Sequence, residues 1–215
     1  MPEKRISFHG HAPGKTPLLE PALGERHTIF LLSPANLSGV RGKRLLQGAS
    51  RLELSQRLQA SQATLGEIFS FVSSLYFRGK LAYASQFARP PVGISGVRII
   101  TSSSGLLAPE YLANLDWLRA TAESAIHPDN PQYRDALVRD AEQICRALPP
   151  GARVVLLGSI ATPKYVAPLL EVFGHRLFYP SDFAGRGDMS RGSLLLCCTR
   201  ENRELAYAAL GPVRT

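Results

Sequence analysis

His27-Thr-Ile-Phe-Leu-Leu-Ser33-Pro34 is a short apolar run halted by a serine and a proline. A run of this length closed by a turn signal predicts a buried strand that ends in a loop. The pattern recurs in Val97-Arg-Ile-Ile-Thr101 before Ser102-Ser-Ser-Gly105, and in Arg153-Val-Val-Leu-Leu157 before Gly158-Ser159. A fourth run, Arg176–Tyr179, leads into Pro180, and Ser193–Thr199 reads as a further strand at a sheet edge. Helical periodicity separates the runs. Apolar positions Leu52, Leu58, Leu65, Ile68, Phe69, Val72 and Leu75 predict a helix from about Ser50 to Tyr76, broken at Gly79. A second helix is expected from Leu106-Leu-Ala-Pro-Glu110 to about Ser124, and a third from near Pro131 to Leu148. Thr162-Pro163 is a cap-and-first-turn pair for a helix through Phe173, which Gly174 ends.

Strands alternating with helices predict an α/β fold: three layers, α/β/α, around a central, mainly parallel sheet of about four strands. Residues 1–26, rich in Pro, Gly and charge, read as an irregular arm before a single domain over 27–215. A chain of 215 residues with 45% hydrophobic content suffices for one substantial core. In such folds ligands lie beyond the C-terminal ends of the strands. The expected site is therefore built from Ser33–Arg44, Thr101–Gly105, Gly158–Thr162 and Pro180–Arg191.

The formal net charge of +8 favours a polyanionic partner, nucleic acid first, although a basic surface kept for solubility has the same composition. Cys145, Cys197 and Cys198 lack a paired C-x-x-C spacing, so no metal site is expected and a reduced, cytoplasmic setting fits. The first residues carry no signal-peptide pattern, and no apolar run reaches membrane-spanning length. The first loop combines Gly39 and Gly42 with Arg41, Lys43 and Arg44, a composition that can cradle phosphate, yet the spacing is not that of a Walker A loop. The last loop, Pro180-Ser-Asp-Phe-Ala-Gly-Arg-Gly-Asp-Met-Ser-Arg191, holds two acids, two arginines and an aromatic–methionine pair among glycines. Phe183 and Met189 are its candidates for a wedge into a base stack. Asp188 with Ser190 and Arg191 also reads as an Asx turn that merely folds the loop. His9 and His11 flank a glycine in the arm, where a solvated loop competes with an acid–base role.

In this order the four loops resemble the uracil-DNA glycosylase superfamily. Its water-positioning loop, of the type G-x-[DN]-P-[YG], is matched in place by Phe30-Leu-Leu-Ser33-Pro34-Ala-Asn36-Leu37. Its Leu-Trp-Gly-Ser strand end is similar to Leu156-Leu-Gly-Ser159, and its H-P-S-P motif with a wedge and Arg-Gly is similar to Tyr179-Pro-Ser181-Asp182 through Arg191-Gly192. The match spans about Thr28 to Cys198. Thr101 or Ser102 stands where the family has a base-reading Asn, Tyr179 replaces the His, and the Asp of the first loop is missing. Uracil is therefore not the expected base.

The resemblance implies a DNA glycosylase that flips a modified, bulky pyrimidine out of double-stranded DNA and leaves an abasic site without a cofactor. Its branches include phage-defence enzymes acting on glucosylated hydroxymethylcytosine and base-exchange enzymes for tRNA. It assigns water positioning to Asn36 and stabilisation of the sugar cation to Asp182 or Asp188. The base pocket would comprise Ser33, Pro34, Thr101, Ser102, Ser103 and Tyr179. Arg41, Lys43, Arg44, Ser159, Lys164, Ser181, Arg186 and Arg191 would contact the DNA of a monomeric enzyme. A Schiff base through Lys43 or Lys80 is a further option. The alternatives are a non-catalytic basic DNA-binding protein and a nucleotide-handling transferase.

Overall fold

Thr28–Leu32 form β1, five consecutive buried residues. They are apolar on both sides because β1 lies between two parallel neighbours, β3 (Val97–Ile100) and β6 (Arg153–Leu157). Phe30 faces Val97 on one side and Val155 on the other. The computed structural model describes residues 26–48 and 52–210. The arm with His9 and His11 lies outside the described residues.

Between β1 and β3 come α1 (Val40–Leu46), α2 (Glu53–Gln59), β2 (Ala63–Thr64), α3 (Leu65–Ser73) and α4 (Leu75–Phe87). β4 (Leu106–Leu107), β5 (Leu112–Ala113), α5 (Leu115–Glu123) and α6 (Pro131–Ala147) lead to β6. Then follow α7 (Pro163–Phe173), β7 (Leu177–Pro180), α8 (Asp188–Arg200) and β8 (Tyr207–Ala209). The main sheet has six strands in the order β4-β3-β1-β6-β7-β8, and β2 pairs with β5 in a separate antiparallel ladder. Four central strands are parallel, while β4 and β8 are antiparallel edges.

Alternation along β1 divides the core. Phe30 and Leu32 join an apolar cluster with Ile68 of α3, Phe77 of α4 and Leu195 of α8. Ile29 and Leu31 join another with Leu137 of α6 and with Val166 and Leu169 of α7. The chain moves from β1 to β3 on one side and later to β6 and β7 on the other. The strand order therefore reverses between β1 and β6, where α/β sheets open a ligand crevice.

Several expectations need correction. In place of a single helix from Ser50 to Tyr76, the described part of this stretch holds α2, β2, α3 and the first two residues of α4, and the loop after Ser33 contains α1. Positive φ at Ser61 and Ser74 ends α2 and α3 respectively. A capping box starts α3: the Thr64 hydroxyl accepts from Glu67 N, and the Glu67 carboxylate accepts from Thr64 N at 2.9 Å. Gly79 does not break a helix but lies inside α4. Leu106–Leu107 pair with Ile99 and Ile100 as a strand, and α5 begins only after its cap, Asn114.

Ser193–Thr199 is helical, part of α8, and the sheet edge it was expected to fill is taken by β8. Leu194–Cys198 is a continuous apolar run, which periodicity alone cannot divide between helix and strand. Cys197 and Cys198 thus lie on a helix. The three cysteines are free. No helix among the described residues is long and apolar enough to cross a membrane.

Candidate active site at the strand ends

A cavity of about 510 Å³ opens where the sheet order reverses. The loop Ser33–Ser38 after β1, Ser102 after β3, Ser159 after β6 and Asp188 at the start of α8 all line it. Lys164 and Tyr165 from α7, Thr121 and Ser124 near the end of α5, and Phe69, Ser73 and Tyr76 complete most of its wall.

Ser33 sits one residue past β1. Its N–H donates to Leu157 O at 3.1 Å, which extends the β1–β6 ladder and fixes the serine at the cavity floor. Gly158 leaves it room: a Cβ there would come 2.9 Å from Ser33 Cβ. On the other side is Lys80 of α4, with only 1% of its surface exposed. Lys80 Nζ bonds the Ser33 carbonyl oxygen and lies 2.9 Å from Ser33 Oγ. The Tyr76 and Phe77 rings stand 4.5 Å and 5.0 Å from Nζ. Lys80 makes no salt bridge among the described residues. Burial pushes its ammonium down to about 7, only partly opposed by the negative charge of Asp188.

Burial pushes the Tyr76 and Tyr165 phenols up to about 12, so both are neutral donors in the wall. The Tyr76 hydroxyl is buried with no hydrogen bond of good geometry among the described residues, although the Arg191 guanidinium lies close enough to ease its ionisation. A buried phenol without such a bond is costly, and here it lies beside open space that a polar ligand atom can enter.

The expected site residues divide into two groups. Ser33, Pro34, Asn36, Ser102, Ser159, Lys164 and Asp188 come together around the cavity. Thr101, Ser103, Tyr179, Ser181 and Asp182 do not line it. Thr101 is fully buried, with its hydroxyl donating to Gly105 O and accepting from Ser104 N, so it closes the turn after β3. Tyr179 pairs with Ala208 inside the sheet. Ser181 Oγ bonds Ala206 O, and Asp182 is exposed on the 3-10 turn Ser181–Phe183. Ser102 reaches the cavity, but its hydroxyl already donates to Thr121 O at 2.7 Å. Asn36 reaches it too, and its Oδ1 accepts from both Ser38 N at 3.0 Å and Ser38 Oγ at 2.7 Å. The side-chain oxygen that would position water is thus already occupied in an Asx turn.

The last loop is rearranged more strongly. Phe183 is fully buried against Tyr76, their ring centroids 6.5 Å apart, so it cannot act as a wedge. Met189, 68% exposed on the first turn of α8, is the exposed apolar side chain of this segment. Arg191 is equally unavailable for phosphate. Its guanidinium donates to Phe183 O from Nε and Nη2 at 3.2 Å and 3.0 Å, and lies 5.3 Å from the Phe183 ring. Its remaining nitrogen is 3.6 Å from Asp188 Oδ1. Arg191 therefore clamps the loop and places a cation beside the exposed Asp188 carboxylate at the cavity. Arg41, Lys43, Arg44 and Arg186 are exposed. Arg41 is held over the Phe71 ring, and Arg186 donates to Ser190 Oγ at 3.1 Å.

In the sequence Lys80 stands out only as a Schiff-base option, and Tyr76 does not stand out at all. The available signal is the spacing Tyr76, Lys80, Tyr83 and Phe87, which puts one lysine in the middle of an otherwise aromatic helix stripe. Behind Ser33 and Tyr76, Lys80 does not line the cavity, and Lys43 lies on α1, so neither is presented for a Schiff base. Among the described residues no group of three or more His, Cys, Asp or Glu is placed to hold a metal ion. No protein-family model, curated protein or solved structure matches the chain.

Proposed function

We propose that this protein is a DNA N-glycosylase that excises a bulky modified pyrimidine and leaves an abasic site. The observation that carries the reading is the cavity at the β1–β6 switch point, with Asp188 as its one lining carboxylate among the described residues. Its volume of about 510 Å³ suits a flipped base with a large substituent, and its wall is rich in hydroxyls. Glucosylated hydroxymethylcytosine, as carried by phage DNA, is the base class suggested by the resemblance.

Loss of a base leaves positive charge on the sugar, and a carboxylate held nearby stabilises that charge as it develops. Arg191 stands beside Asp188, 3.6 Å from its carboxylate. Lys164, at the cavity wall, supplies positive charge where the departing base becomes electron-rich. Lys43, Arg44 and Arg186 are exposed cations for the phosphates, and Met189 fills the space that the flipped nucleotide vacates. Asn36 frames the mouth through its turn. The proposal includes helices layered on both faces of the sheet, a monomeric state, and action on double-stranded DNA in the cytoplasm, in keeping with the basic composition and free thiols.

The test is incubation with duplexes carrying uracil, hydroxymethylcytosine or glucosylated hydroxymethylcytosine, followed by alkali. Strand cleavage at the glucosylated base is expected, with loss of cleavage in Asp188→Asn. Salt-sensitive binding without an alkali-labile site on any duplex would leave a DNA-binding protein and overturn the enzymatic reading.

A further inference from the structure

We infer that Ser33 is a base-activated hydroxyl, with Lys80 as its base, and that it takes the proton from the water attacking the sugar. The second half of this inference rests on the glycosylase reading; the first half does not. Three observations converge on the pair. Ser33 Oγ is 2.9 Å from Lys80 Nζ. The lysine is sealed from solvent by Tyr76 and Phe77 and makes no salt bridge among the described residues, an environment that favours the neutral amine. The serine opens onto the cavity while the lysine does not, so the hydroxyl touches the reactants and the amine acts through it.

A neutral amine can donate one N–H to the Ser33 carbonyl and still accept the Ser33 Oγ–H through its lone pair. An ammonium can only donate. The bond to the carbonyl also fixes Nζ relative to Oγ, as an orienting partner fixes the base of a nucleophile–base pair. The charged and titratable groups around Lys80 are Tyr76 on its own helix and Asp188 on α8, with Arg191 and Tyr165 beyond Tyr76. Asp188 alone favours the ammonium, and burial outweighs it.

The step balances without another reactant. Water oxygen forms a bond to the anomeric carbon as the N-glycosidic bond breaks, and the bonding pair leaves with the base. The water proton passes to Ser33 Oγ while the Ser33 proton passes to Lys80 Nζ. The released base then takes a proton from Ser33 Oγ as Lys80 Nζ returns its own to Ser33, so both groups end as they began. Asn36, with its oxygen committed to Ser38, is not needed for this.

The test has two arms. In the first, the full chain is treated with an alkyl fluorophosphonate and its peptides are analysed by mass spectrometry. Ser33 Oγ would form a P–O bond, fluoride would leave and Lys80 would accept the proton. Labelling is expected at Ser33, with a rate that rises as pH passes through about 7. It should fall by about 100-fold or more in a folded Lys80→Met variant, the usual scale for losing a general base. Labelling elsewhere, or a rate independent of both pH and Lys80, would overturn the activated serine. Should Lys80→Met fail to fold, the wild-type site and pH profile decide this arm.

In the second arm, base release by wild type is compared with Ser33→Ala, which removes one oxygen atom. Loss of the pH 7 limb together with a large fall in rate supports the relay. An unchanged rate and profile overturn it. Ser33 labelling without base release from any duplex would refute the glycosylase reading and leave the activated serine standing.

Discussion

Gly79 and Gly192 meet where α4 crosses α8: a Cβ on Gly79 would lie 2.7 Å from Gly192 O, and one on Gly192 would lie 2.8 Å from Tyr76 Cα. Both obstacles are backbone, which cannot rotate aside. The close crossing puts Tyr76 and Lys80 of α4 against Asp188 and Arg191 of α8, so the spacing of the two helices also sets the geometry of the cavity wall. Gly79→Ala and Gly192→Ala should each destabilise the fold by about 1–3 kcal/mol, the usual range for overpacking. Denaturant unfolding checks this. A midpoint unchanged from wild type in both variants would mean that the helices are not in contact here.

The elements that are legible in the sequence are those whose signal is local. β1, β3 and β6 are apolar runs because they are buried between parallel neighbours, and Thr162-Pro163 marks the start of α7. Gly79 reads wrongly as a helix breaker because its meaning lies in α8, more than a hundred residues away. The site divides in the same way. Ser33, Ser102, Ser159 and Asp188 can be placed from strand ends alone. Lys80 comes from the middle of α4 and Tyr76 from its first turn, and only the packing of α4 against β1 brings Lys80 to Ser33. Phe183 and Arg191 look like surface residues because their loop is polar, yet they fold under it together.

Lys80 should make stability depend on pH. Its folded-state pKa is lowered to about 7 from 10.5, so between those values the unfolded chain binds more protons than the folded one. Stability therefore rises with pH across this window and is lost as pH falls toward 7. A difference of one bound proton changes stability by about 1.4 kcal/mol for each pH unit, so the gain between pH 7 and 9 is on the order of 2 kcal/mol. Chemical denaturation at pH 7, 8 and 9 measures it. Lys80→Met should flatten the dependence; a slope parallel to wild type would mean that the buried amine does not titrate here.

Phe183 and Met189 are separated by opposite expected phenotypes. Phe183→Ala empties a fully buried site beneath Arg191 and should cost about 3–5 kcal/mol. Met189→Ala, at an exposed position, should change stability by less than about 0.5 kcal/mol. If Met189 is the wedge, its removal weakens insertion into a duplex while leaving the fold intact. Thermal unfolding combined with 2-aminopurine fluorescence beside the target base distinguishes the two residues. Equal destabilisation by both substitutions would contradict the burial difference.

The exposed cations and Arg191 should differ in how salt affects DNA binding. Lys43 and Arg186 are exposed, whereas Arg191 is only 11% exposed and bonded to Phe183 O. A phosphate contact releases counterions, so removing one lowers the slope of log affinity against log salt by about 1. Lys43→Ala and Arg186→Ala should each show that loss with an unchanged unfolding midpoint. Arg191→Ala should instead lower the midpoint, because the Phe183 carbonyl loses both of its guanidinium donors and keeps only the Arg186 N–H, and should leave the salt slope of the remaining folded protein near that of wild type. Titrations of a fluorescent duplex from low to moderate salt measure each slope. A reduced slope in Arg191→Ala with full stability would place its guanidinium on the DNA and release the clamp assigned to it.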